Sequence, residues 1–292
     1  MNKVNPGKQE ILETIQRSGH DLHLKVADIF KENGWDPKIG SYYNDFVTGK
    51  SREIDLIARK EYCVKDFSRN IGKFNIRLFI ECKFLNYPIT FWFVPKNINA
   101  AKDLAIANPI LGSDKEYDSL ENKSNIPYLI HHYINGGEVA KLWTKKNNSQ
   151  DYVYDAINQT LNSLIFFESL EPMENTVNFP VIIVSSFSKF YRRTENSQDG
   201  FEEIRDNIQL EIDYSYIADL NGLSSEILKK DKLNITKYFL IDLVSLNKVP
   251  AFLNQLEKND IQLLKNKLFW DMHMNGRRGN LRNREFDRSS II

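Results

Sequence analysis

The sequence predicts an α/β fold, a mixed β-sheet flanked by helices, and three observations carry that prediction. Apolar runs of strand length recur at Ile54 to Ala58, Leu78 to Lys83, Ile89 to Phe93, Pro180 to Ser185, Leu210 to Tyr214 and Tyr238 to Val244. Apolar residues at helical spacing stand before, between and after these runs. With 292 residues and 41% hydrophobic content, the chain can also bury a sizeable core. No internal repeat, low-complexity tract or convincing linker interrupts it, so one domain over 1–292 is expected, with a core of about 8–185 and a C-terminal α/β elaboration of about 186–292.

The elements follow in order. Leu22, Val26, Ile29 and Phe30 share one helical face, and Asn33-Gly34-Trp35 ends that helix. A hairpin about Thr48-Gly49-Lys50-Ser51 leads into the strand Arg52-Glu53-Ile54-Asp55-Leu56-Ile57-Ala58. The polar stretch from Lys65 to Asn75, which carries Gly72, reads as the turn into Leu78-Phe79-Ile80-Glu81-Cys82-Lys83. A strand at Pro88 to Phe93, a helix with Ala156, Ile157 and Gln159, and a strand at Pro180 to Ser185 come next. In the second half, Leu210 to Tyr214 and the nearly continuous apolar run Tyr238 to Val244 read as strands, the latter buried. A helix from about Pro250 to Phe269 closes the pattern, with Phe252, Leu253, Leu256, Leu263 and Leu264 at mixed helical spacing.

Acidic residues inside two of these apolar strands carry the chemistry. A carboxylate there is costly unless a cation shares the site. Side chains alternate across a sheet, so Glu81 and Lys83 emerge on one face while Ile80, Cys82 and Phe84 emerge on the other; Ile54, Leu56 and Ala58 oppose Glu53, Asp55 and Ile57 in the same way. A hairpin between the two strands brings Asp55 beside Glu81. Two carboxylates and a main-chain carbonyl, that of Cys82, suit Mg2+ (or Mn2+), and Lys83 stands where its ammonium can orient or help deprotonate a water. The fitting substrate is a phosphodiester.

Asp, a spacer and then Glu-x-Lys on the next strand resembles the metal core of the PD-(D/E)xK, or restriction-endonuclease-like, nuclease superfamily. The α-β-β-β-α order over roughly residues 8 to 168, extended by the strand at Pro180 to Ser185, resembles that family's core as well. The resemblance implies Mg2+-dependent hydrolysis of DNA, with Asp55 and Glu81 as ligands and Lys83 activating water. It also suggests a place in defence against foreign DNA. Many relatives carry a glutamate on the first helix where this chain has His23, and Glu10 and Glu13 are weaker stand-ins. His23 and Gln159 are therefore candidates to act from behind the metal ligands, and each also fits ordinary packing. Glu53 reads as a solvated or Arg-paired residue, and Asp45 as a turn-flanking one.

Other motifs fail. Gly49-Lys50-Ser51 resembles the tail of a phosphate-binding loop, yet Asn44 stands where that loop needs glycine. His131 and His132 have no cysteine framework to complete a zinc site, since the chain holds 2 cysteines and 5 histidines. Cys63 and Cys82 are those cysteines, and a reduced, cytoplasmic protein is the simplest expectation. The stretch Met1 to Pro6 has no apolar signal core, and no apolar run is long enough to span a bilayer.

Charge is balanced, with 39 basic and 39 acidic residues, so DNA contact has to come from local clusters. Candidates for phosphate contact are Lys50 and Arg52 at the hairpin, Arg192 and Arg193 beside Lys189, and Arg277 and Arg278 in an arginine-rich carboxy-terminal run. Three readings stay open: a deoxyribonuclease, a ribonuclease using the same metal chemistry, and a non-catalytic nucleic-acid-binding or assembly subunit. Cutting two strands calls for two sites, so a homodimer is expected, and an activating partner or signal is a further possibility.

Overall fold

The computed structural model describes residues 19–45, 49–66, 69–85, 87–106, 137–144, 151–170, 176–194, 200–218 and 233–262, with a few single positions beyond. Among them ten strands form one mixed sheet. In chain order these are β1 (Asp36–Asn44), β2 (Ser51–Asp66), β3 (Arg69–Lys83), β4 (Ile89–Pro95), β5 (Glu138–Trp143), β6 (Thr176–Val184), β7 (Phe190–Arg193), β8 (Phe201–Glu203), β9 (Ile208–Ala218) and β10 (Leu233–Ser245). They lie in the order β1-β2-β3-β6-β10-β9-β5-β4-β7-β8. The helices are α1 (His20–Glu32), α2 (Ile98–Ile106), α3 (Tyr152–Leu170) and α4 (Val249–Leu256).

Helix α1 forms as its spacing predicts. Leu22, Val26, Ala27 and Phe30 are buried on one face. The helix stops at Gly34, whose φ of 74° only glycine adopts readily, while the Asn33 side chain donates to the Ile29 carbonyl at 2.8 Å. Trp35 then folds back edge-on against Phe30.

β1, β2 and β3 make an antiparallel meander, and β3, β6 and β10 run parallel. Two apolar layers cover the sheet. One packs α1 and α4 against Leu56, Ala58, Leu78, Ile80 and Cys82 and against Val177, Phe179, Val181 and Ile183 of β6. The other packs α3 against Ile54, Ile57, Phe79, Ile182 and Val184, and takes in Phe91 and Phe190 from β4 and β7. β6 and the Tyr238 to Val244 part of β10 contribute to both layers, which is why they read as continuous apolar runs. β9 and β10, from the second half of the chain, therefore sit inside the same sheet as β3 and β6.

One expectation is sharpened and one corrected. β2 and β3 form the expected hairpin, the chain reversing between the paired residues Asp66 and Arg69, but much of Lys65 to Asn75 is strand: Gly72 lies opposite Val64, and a register shift at Val64/Lys65 lets the long ribbon twist. The helix expected over Pro250 to Phe269 is divided. After Leu256 it widens into π geometry at Glu257–Ile261. Leu256 and Ile261, five apart, both return to the core, and the wider turn accounts for the mixed spacing. Glu257 in that turn accepts from the Tyr62 hydroxyl at 3.0 Å and pairs with Lys60, pinning the turn to β2.

Among the described residues no helix is long and apolar enough to cross a membrane.

Candidate active site

The site forms where the sheet opens. The β2–β3 ladder runs from Asp66↔Arg69 to Leu56↔Ile80 and goes no further. Beyond that pair β2 stays with β1 through Ser41↔Ile54, while β3 stays with β6 through Glu81↔Ile182, Cys82↔Ile183 and Lys83↔Val184. Asp55 and Glu81 are the first residues past the fork.

A glycine shapes it. In the β1–β2 register Ile39 pairs with Leu56 and Ser41 with Ile54, and Gly40 and Asp55 between them drop out. Gly40 has φ of 67°, so the backbone kinks opposite Asp55. Face alternation breaks there as a result: Ile54 joins the layer of Ile57 and Phe79, and Leu56 joins the opposite layer. The regular alternation expected for Ile54, Leu56 and Ala58 therefore fails at Asp55, and that failure releases the carboxylate from the ladder. Gly40→Ala is expected to cost about 1–2 kcal/mol for a left-handed non-glycine residue, read from urea denaturation, since a Cβ there would also crowd Glu53 Oε1.

The released Asp55 carboxylate takes over a ladder position. Its Oδ2 accepts the Cys82 main-chain N–H at 2.7 Å and lies 3.2 Å from His23 Nε2 on α1. In an extended strand the N–H and C=O of one residue leave on the same side, so the Cys82 carbonyl also points into the fork. On the α3 side of the sheet, Lys83 Nζ lies 2.5 Å from Glu81 Oε1 and donates to Gln159 Oε1 at 2.9 Å. Asp55, Glu81, Lys83, His23 and Gln159 are thus brought together. Cys82 turns its side chain into the α1 layer, and burial pushes its thiol well above the usual range.

Glu81 is 1% exposed, and its Oε2 has no hydrogen-bond partner among the described residues. Burial first, and then the Asp55 charge, push its carboxyl up to about 8; Lys83 and the Asp55 main chain oppose them. A carboxyl that binds its proton more tightly when folded stabilises the fold fully below its unfolded value. That stability is lost as pH rises through the folded value. Without metal, the melting temperature of the wild type is therefore expected to fall between about pH 5 and pH 8, and that of Glu81→Gln to change much less over the same interval. A parallel pH response in the two proteins would contradict this.

The other candidates are placed as follows. Arg52 Nε is held by Asp45 Oδ2 at 2.7 Å, and the Asp45 main chain closes the hairpin through Gly49 and Lys50; Asp45 is thus a turn residue that also anchors a cation. Lys50 is exposed. Glu53 is exposed, as a solvated residue would be, and accepts from the Tyr42 hydroxyl. Arg192 pairs with Glu138 and lies over the Phe93 ring, and Arg193 donates to the Gly200 and Thr194 carbonyls. Both sit on β7, well along the strand order from β2 and β3. Glu10 is exposed. Glu13, His131, His132, Arg277 and Arg278 lie outside the described residues.

Sequence reasoning missed the cleft that adjoins Lys83. About 470 Å3 in volume, it is walled by Tyr43, Tyr152, Tyr154 and Tyr214, with Lys83 and Gln159 shared with the site above. The tyrosines come from β1, α3 and β9, far apart in the chain, and no spacing pattern connects them. The Tyr43 hydroxyl is kept protonated by burial and by the nearby Glu81 and Asp45 charges.

Among the described residues no group of three or more His, Cys, Asp or Glu side chains is placed to hold a metal ion. The oxygen donors at the fork are instead two carboxylates and a main-chain carbonyl. Compared with protein-family models, curated proteins and solved structures, the chain matches none.

Proposed function

We propose that this protein is a metal-dependent nuclease of the restriction-endonuclease-like, PD-(D/E)xK kind that hydrolyses DNA phosphodiesters. The observation that carries the reading is the meeting of Asp55, Glu81 and Lys83 at the sheet fork, with one buried Glu81 oxygen left unpartnered. The order α1, β1, β2, β3, with α3 on the opposite face and β6 parallel to β3, supports it.

The residues fit a hard divalent cation. Glu81 Oε2 is an orphaned acceptor, the remaining donors are oxygens, and two carboxylates at the fork raise each other's need for a counter-charge. Asp55, Glu81 and the Cys82 carbonyl would hold Mg2+ or Mn2+, which supplies Lewis-acid stabilisation of charge on the phosphate oxygens. Glu81 and Gln159 fix the Lys83 ammonium from two directions. From that position Lys83 orients the attacking water and meets the charge that develops on phosphate. His23 Nε2 lies against Asp55 Oδ2 and would help orient the carboxylate that holds the cation.

The test is incubation of supercoiled plasmid and linear duplex and single-stranded DNA with Mg2+, Mn2+ or EDTA. Cleavage that needs the metal is expected. DNA binding with no cutting of any substrate in either metal would favour the assembly-subunit reading, and cleavage confined to matched RNA would favour the ribonuclease.

A further inference from the structure

We infer that the tyrosine-walled cleft beside Lys83 receives one unstacked nucleotide of a single-stranded DNA segment, so that single-stranded or frayed DNA is the preferred substrate; this rests on the nuclease reading above.

Three observations carry it. First, the cleft and the reactive groups share Lys83 and Gln159, so a phosphate at Lys83 has its adjoining nucleoside at the cleft mouth. Second, the cleft is of a size that encloses a small organic group, within the range of about 300–1,000 Å3 for ligand pockets, and far too small for two stacked, paired strands. Only a base that has left its stack can enter. Third, the walls offer what an unstacked base seeks. Tyr152 and Tyr154 are 41% and 54% exposed, and Tyr152 is braced from behind by Tyr87 with ring centroids 6.2 Å apart. Tyr43, only 1% exposed, stands behind these two in the lining, and its buried hydroxyl has no hydrogen-bond partner among the described residues.

The balanced charge of the chain agrees with this mode. Binding by base stacking asks less of basic residues than tracking a duplex backbone does, and it tolerates any sequence because every base has a π-face. Asp45 already pairs with Arg52, and Asp155 shares the lining with Lys83, so the cleft itself offers aromatic surface more than net positive charge.

The experiment is fluorescence anisotropy of the full chain in EDTA, so that no turnover occurs, with a labelled thymidine oligomer, the matched duplex and the matched oligoribonucleotide. The oligomer is expected to bind at least about tenfold more tightly than the duplex. Tyr152→Ala and Tyr154→Ala, both at exposed positions, are each expected to weaken it by about 5- to 150-fold, the range for loss of one base–aromatic stack. Equal binding of oligomer and duplex, or alanine variants that bind like wild type, would overturn the inference. Tighter binding of the oligoribonucleotide would overturn the assignment to DNA. Tyrosine-dependent binding of the oligomer without metal-dependent cleavage of any DNA would leave the cleft supported and overturn the nuclease reading alone.

Discussion

Lys83→Ala is expected to lower metal-dependent DNA cleavage by about 10²- to 10⁴-fold, the range for loss of a positioned group that handles a proton or its charge in the transition state. The ammonium sits between two acceptors, Glu81 Oε1 at 2.5 Å and Gln159 Oε1 at 2.9 Å, and is 20% exposed, toward the tyrosine cleft. It is therefore aimed rather than merely present. Its loss leaves Glu81 without its cation, but a carboxyl already inclined by burial to hold a proton then stays neutral in the metal-free protein, and the fold survives. Metal affinity should hold or improve, because a positive charge has been taken from beside the cation. The readouts are the single-turnover cleavage rate at saturating Mg2+ and the metal dissociation constant by calorimetry, and the rate alone should fall. Lys83→Arg should not restore it, since a guanidinium is larger, planar and never deprotonated. Cutting by Lys83→Ala at the parental rate would remove Lys83 from the mechanism.

Much of this site was legible because carboxylates are so unfavourable in an apolar strand. Asp55 and Glu81 stand out among Ile54, Leu56, Ile80 and Phe79 for that reason, and alternation was enough to put Glu81 and Lys83 on one face. Alternation failed at Asp55 because a left-handed glycine on the neighbouring strand, Gly40, breaks the ladder. Nothing in β2 itself announces a kink that its partner imposes. Gln159 reads as a packing residue by spacing, and its contact with Lys83 depends on how close α3 comes to β3. Polar composition placed the reversal between β2 and β3 inside Lys65 to Asn75, but not the length of the ribbon: Arg69 to Asn75 pairs main chain to main chain, which any side chain permits. The arginines of β7 are a different case: Glu138 and the Phe93 ring lie beside Arg192, partners from other strands that no spacing announces. The tyrosine cleft had no linear signal at all, because three elements distant in sequence build it.

Asp55→Asn is expected to act on the metal rather than on the fold. The Asp55 carboxylate has two tasks, the hydrogen bond from Cys82 N–H that closes the fork and a negative charge beside Glu81. An asparagine side-chain oxygen can still accept the Cys82 N–H, so the first task survives, while the charge disappears. Cleavage at limiting Mg2+ should fall by more than the roughly 10- to 100-fold typical of residues that only support a metal ligand, and saturating metal should recover part of the loss. Asp55→Ala removes both tasks and separates them. It leaves the Cys82 N–H without its acceptor at a cost of about 1–3 kcal/mol, partly offset because the buried Glu81 no longer faces a second, partly buried carboxylate. The alanine variant should therefore melt at or somewhat below the asparagine variant while both lose metal-dependent activity. Thermal denaturation in EDTA measures the first difference, and cleavage across a Mg2+ titration measures the second. Contrasted with Lys83→Ala, which loses rate and keeps metal, Asp55→Asn loses metal and, through it, rate. If Asp55→Asn cuts like wild type at low Mg2+, the carboxylate serves only to hold the fork closed, and the cation must be sought on Glu81 with other donors.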